Sequence, residues 1–238
     1  MKNLFLFTLI IILSTSCKQK TESQQTVNNP AEIPTWETEL DTILERNNPK
    51  NLDLTRHQLF IDTTRNSDFY KHYHNWKRNG LENEDLSALL ADMSEKQPME
   101  KVSLGDFPKL WISLKKFNDE FVIYQPCDGN TASFEITESA VIFHYQIESD
   151  VEQISKLTEV DKNTIQLELN VMPQKSNTEK SRLTIKPTEI KNVYKLTHGT
   201  ENDKHEYFVT PRENVVDFDL VINNCPEFKV NEYNGFDN

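Results

Sequence analysis

The sequence predicts a mainly β chain of the α+β class, an antiparallel up-and-down meander preceded by a short helical segment. Two observations carry that expectation. After Pro98 apolar residues recur with period two, as in Ile165, Leu167, Leu169 and Val171, which alternate with Gln166, Glu168 and Asn170. Between residues 35 and 97 the spacing is instead helical.

In the helical part, Trp36, Leu40, Ile43 and Leu44 fall on one face, with Thr35 at the N-cap position. A second helix is predicted to begin near Ser67, where Phe69, Tyr73 and Trp76 share a face and Gly80 is placed to stop it. A third is expected over residues 82–93, with Leu86, Leu89, Leu90 and Met93 on its apolar stripe. Residues 47–64 fit neither period.

Strand patterns follow at residues 110–117, 121–125, 134–136, 141–147, 165–171, 182–186, 193–197, 207–210 and 216–222. Asn118-Asp119 and Asp161-Lys162-Asn163 supply turn chemistry, and prolines 108, 126, 173, 187 and 211 punctuate the series. These signals give about nine or ten short strands, which pair with their sequence neighbours when the turns are this short. One apolar face per strand must then be covered, and closure into a barrel does so while removing the edges. In strand number, hairpin spacing and helical lead-in, residues 100–222 resemble lipocalin-like proteins. That resemblance implies an up-and-down barrel around a small apolar ligand. The family's Gly-x-Trp signature is absent, since Gly105 and Trp111 stand six apart. A strongly curved open sheet, a sandwich or a half-barrel is the alternative.

The front of the chain has a different character. Lys2 gives a positive head, and Leu4 to Leu13 is apolar apart from Thr8. Ten helical residues reach about 15 Å, half of a ~30 Å hydrocarbon layer, so this segment is too short to span one. Leu13-Ser14-Thr15-Ser16-Cys17 then runs into the polar stretch Lys18-Gln19-Lys20-Thr21-Glu22-Ser23. This resembles the bacterial lipoprotein signal, with Ser14 where leucine is commonest. The resemblance implies cleavage before Cys17 and lipid on that cysteine. Residues 1–16 are thus expected to be a signal peptide and residues 17–34, rich in Gln, Asn, Thr and Ser, a lipidated cysteine with a disordered tether. Residues 35–97 form the helical segment and residues 98–238 the β domain with a C-terminal tail. The expected address is the cell envelope, anchored in the outer membrane through lipid on Cys17.

Charge narrows the partners. The chain carries 38 acidic and 26 basic side chains, a net charge of −12, which becomes −13 once Lys2 leaves with the signal. Such a body repels phosphate backbones, so no nucleic-acid partner is expected. Only five glycines occur, and Gly-rich phosphate loops are missing.

With Cys17 assigned to lipid, Cys127 and Cys225 remain as an even pair in an exported chain and are expected to form a disulfide. Metal ligation is not expected. His72 and His74 point about 200° apart on a helix, and the Glu82-Asn83-Glu84-Asp85 run opens a helix, where acidic side chains complement the dipole. No Gly-x-Ser-x-Gly, Ser-x-x-Lys or His-Glu-x-x-His motif occurs, so no catalytic residue, enzyme activity or cofactor is assigned. Two functions stay open. Phe143, Tyr145, Leu167 and Leu169 are the inward set expected to line a cavity for a small apolar ligand or lipid. Packed solid, the same set makes a core, and the protein acts by docking an envelope partner.

The anchor is directly testable. Cys17→Ser is expected to release the protein from membranes or leave its precursor uncut, read by fractionation and intact-mass spectrometry. Wild-type protein found soluble and unacylated would contradict the lipoprotein signal.

Overall fold

The computed structural model describes residues 45–76, 80–96, 101–161, 163–170, 180–227 and 230–237. Cys17 and the helix expected around Trp36 lie outside them. The first described elements are two strands, β1 (Arg46–Asn47) and β2 (Gln58–Asp62), which fall in the stretch whose sequence fits neither period. The segment expected to be helical therefore also contributes to the sheet.

Helix α1 (Asp68–Asn75) starts where expected, with the Ser67 hydroxyl accepting from the Tyr70 N–H. It ends at Trp76, four residues earlier than Gly80 suggested. Gly80 instead opens α2 (Gly80–Lys96). Met93, with Leu86, Leu89 and Leu90, packs this helix onto Ala140, Ile142 and Val151. Among the described residues no helix is long and apolar enough to cross a membrane.

The remaining strands are β3 (Leu110–Phe117), β4 (Glu120–Gln125), β5 (Ser133–Ile136), β6 (Ala140–His144), β7 (Ser149–Val160), β8 (Ile165–Asn170), β9 (Lys180–Pro187), β10 (Tyr194–Gly199), β11 (Lys204–Pro211) and β12 (Asp219–Asn224). From β5 to β11 each strand pairs antiparallel with the next. Strand β3 pairs with both β11 and β5, which closes an eight-stranded antiparallel barrel. The curved-sheet, sandwich and half-barrel alternatives are thereby set aside.

The other half of β3 does something different. Lys115 to Phe117 pair with β4 across the Asn118-Asp119 turn, whose φ values of 50° and 65° match a tight hairpin. Strand β4 then leaves the barrel and pairs parallel with β12, which in turn pairs antiparallel with β2. The result is a side sheet grown from the barrel wall. Because β12 is covered on both faces, Leu220, Val221 and Ile222 are all fully buried. Val216, expected in this strand, sits exposed on a 3-10 turn, Arg212–Asp217, that precedes it.

Strand β7 has no clean alternation in sequence, and its register with β8 shifts twice, between Ile154 and Lys156 and between Leu157 and Glu159. A bulge inserts a residue and breaks the period of two, which hides the strand from pattern reading.

Barrel closure turns one set of side chains inward. Trp111, Ile136, Ile154, Ile165, Leu167 and Leu169 are among them, at 0% exposure, and they pack with Leu183 and Ile185 in one cluster. Val102, Leu104 and Phe107, from the segment before β3, join the same cluster at one end. The Trp111 indole N–H donates to the Pro108 carbonyl, so the one polar atom of the largest interior side chain is satisfied.

The tail straps the side sheet. Cys127 and Cys225 are disulfide-bonded with Cα atoms 5.3 Å apart, closing a separation of 98 residues. Beyond the bridge, the Glu232 carboxylate accepts from the Tyr124 hydroxyl, the Cys127 and Asp128 backbone N–H groups and the Gln146 amide. Tyr233 and Phe236 cover Phe117 and Tyr124. Loop closure of this length stabilises by up to ~4.7 kcal/mol in the chain-entropy model. Non-reducing digestion is expected to yield a Cys127–Cys225 peptide, and Cys225→Ala to lower the unfolding free energy by about 2–5 kcal/mol. Two freely alkylated thiols in protein purified without reductant would contradict the bridge.

Candidate functional site

The four residues expected to line a ligand cavity divide. Phe143, Leu167 and Leu169 come together in the barrel interior, Leu167 and Leu169 at 0% exposure and packed against other apolar side chains. Tyr145 has inward parity but lies past the end of β6, where its N–H bonds to the Glu148 carbonyl in a turn. It is 42% exposed and stacks on Phe143 at the barrel rim.

That rim also holds a polar cluster. Glu152 accepts from the Ser181 hydroxyl at 2.6 Å and lies 3.1 Å from His198 Nε2, while the His198 ring packs on Phe143 with centroids 4.6 Å apart. Ser181 donates to the carboxylate and not to the imidazole, so His198 does not take its proton as a nucleophile's base would. Among the described residues no group of three or more His, Cys, Asp or Glu side chains is arranged to hold a metal ion.

A partly enclosed cavity lies outside the barrel. Outward residues of β3, β5, β6 and β7 form its floor, with Leu110, Ile112, Ile142 and Val151 apolar and Ser133, His144 and Ser149 polar, and Trp111 and Phe134 of the interior cluster also border it. Helices α1 and α2 form the other wall through Tyr73, Trp76, Leu86 and Leu89, and the volume is about 370 Å³. This is the small end of the ~300–1,000 Å³ range for small-molecule pockets.

Each wall residue is held by its own local structure. Helix α1 is fixed at its start by Tyr70, whose hydroxyl contacts the Asp62 and Phe218 carbonyls at 3.0 and 2.8 Å. Arg65 bonds to the same hydroxyl and to Asp219. One turn later Tyr73 is buried, its hydroxyl 2.7 Å from Thr131 Oγ1 and 3.0 Å from Gln125 Oε1. Burial pushes its phenol well above the ordinary tyrosine range, so it stays neutral. Trp76, at the end of α1, meets the His144 ring edge-on at 5.2 Å, and His144 Nδ1 lies 3.0 Å from Ser149 Oγ.

Asn130 and Thr131 reach the cleft from the loop after the disulfide. Gly129 has φ +80° there, and a Cβ on it would stand 1.9 Å from the Gln146 carbonyl oxygen, so only glycine lets this loop lie against the β6–β7 turn. Arg212 enters from the start of the 3-10 turn after β11, and its guanidinium donates to the Trp76 carbonyl at 3.1 Å.

The sequence placed Tyr73, Trp76, Leu86 and Leu89 on apolar helix faces, but not Asn130, Thr131, Ser133, Ser149 or Arg212. These come from separate elements, and no local spacing joins them. Comparison with protein-family models, curated proteins and solved structures found no match.

Proposed function

We propose that the protein is a lipid-anchored lipoprotein of the cell envelope, tethered through Cys17, that binds a small molecule in the cleft between its helices and the outer barrel wall. It acts by binding and not by catalysis. The observation that carries this reading is the contrast between the two surfaces of one barrel. Inside, large side chains such as Leu167, Leu183 and Ile185 pack on one another, leaving Phe143, Leu167 and Leu169 of the expected lining set as core. Outside, aromatic and aliphatic walls enclose about 370 Å³ with hydroxyl, imidazole and guanidinium groups converging on it. A mostly apolar cleft with a few oriented polar groups is the usual form of a small-molecule site.

Docking of an envelope protein is the second reading, supported by Tyr145, Tyr207 and Ile147, which are 42%, 45% and 86% exposed. The two readings separate in one experiment. A library of small soluble compounds screened by NMR against the full chain is expected to give binders that shift Trp76, Ile142 and Val151. Leu89→Trp, which fills the cleft from α2, should abolish those shifts. Shifts at Leu167, Leu169 and Leu183 would return the ligand to the barrel interior. An absence of binders at the cleft would leave protein docking ahead.

A further inference from the structure

Resting on the cleft-binding reading, we infer that the ligand is a small organic anion, an apolar body ending in a carboxylate that pairs with Arg212. Two other arginines of this acidic chain meet carboxylates. Arg46 pairs with Asp219 and Glu120, and Arg65 with Asp219. Arg212 is different. It is half-buried in the cleft wall, and among the described residues its hydrogen-bond partner is a neutral group, the Trp76 carbonyl, with no carboxylate within ion-pairing distance.

A guanidinium has five N–H donors in a planar fork. The Trp76 carbonyl uses one nitrogen, Nη1, and fixes the plane of the group without neutralising it. A partly desolvated cation in that state favours an anion with two oxygens, because carboxylate and guanidinium match in a bidentate pair. The bond to Trp76 also sets the direction of the ligand. The same residue whose carbonyl holds Arg212 meets His144 with its ring, so the apolar body lies along Trp76 between those two points, over Ile112 and Ile142 and under Leu86 and Leu89.

Asp85 is the carboxylate in the lining, and it is exposed on α2. Its charge disfavours a second negative group on the ligand, so a monoanion fits better than a dianion. At about 370 Å³ the cleft takes one ring or a short chain and not a full phospholipid acyl pair.

Matched probes test the class. Phenylpropionate, phenylpropanol and phenylpropylamine share one ring and one chain and differ in terminal charge. Each is titrated into the full chain in detergent, read by indole fluorescence and by the NMR shift of Trp76. The acid is expected to bind about tenfold more tightly than the alcohol, about 1.4 kcal/mol, with the amine weakest. Arg212→Gln should bring the acid down to the alcohol, and Arg212→Lys, which keeps the charge but loses the two-pronged fork, should retain only part of the preference for the acid. Equal binding of acid and alcohol to the wild type, or preference for the amine, would overturn the anion while leaving the cleft as a binding site. Failure of all three probes to move Trp76 at millimolar concentration would overturn both. A preference for the acid that survives Arg212→Gln would also overturn the assignment to Arg212.

Discussion

Strand β3 is the constraint on which the other parts depend. Leu110 to Ile112 pair with β5 on one side, and Trp111 to Leu114 pair with β11 on the other, so this short strand alone joins the two ends of the meander. With that seam made, side-chain alternation has only two destinations. Trp111 turns into the barrel, and Ile112 and Leu114 turn out towards Tyr70 and Tyr73. The last three residues of the strand then pair with β4 and carry the chain into the side sheet. A single strand thus sets the filled interior, the floor of the cleft and the platform that α1 packs on.

Position of α1 follows from the side sheet. Tyr70 bonds to the carbonyl of Phe218, just before β12, and Arg65 reaches the same carbonyl and Asp219. Because α1 is fixed at this end, its last turn delivers Tyr73 and Trp76 over the barrel wall. The cleft therefore needs both sheets, although its floor belongs to the barrel alone. Removing the tail strap should be felt there as well, since Glu232 holds the Cys127–Asp128 backbone of the loop that supplies Asn130 and Thr131.

What could be read from sequence was local. Ile165, Leu167 and Leu169 alternate without interruption, and β8 lies where they predict. Ser67 caps α1, and Asn118-Asp119 turns the β3–β4 hairpin, because each feature depends on residues a few positions apart. Cys127 and Cys225 were legible as a pair because few other partners existed. Features set by distant contacts stayed hidden. Bulges erase the period of β7, and β2 is a strand because β12 lies beside it. Gly80 carries no local sign of whether it ends one helix or begins the next. Arg212 became a candidate only when Trp76 was found beside it, across 136 positions of sequence.

A closed and filled barrel with its binding site on the outside is a claim about where empty apolar space lies. Xenon under pressure reports that space directly, because it enters apolar cavities that water leaves dry. In xenon-pressurised crystals of the protein, filled packing predicts no xenon atom among Leu167, Leu169 and Leu183 and allows one in the cleft between Trp76 and Ile142. Xenon inside the barrel, or an acyl chain retained there through purification, would contradict it.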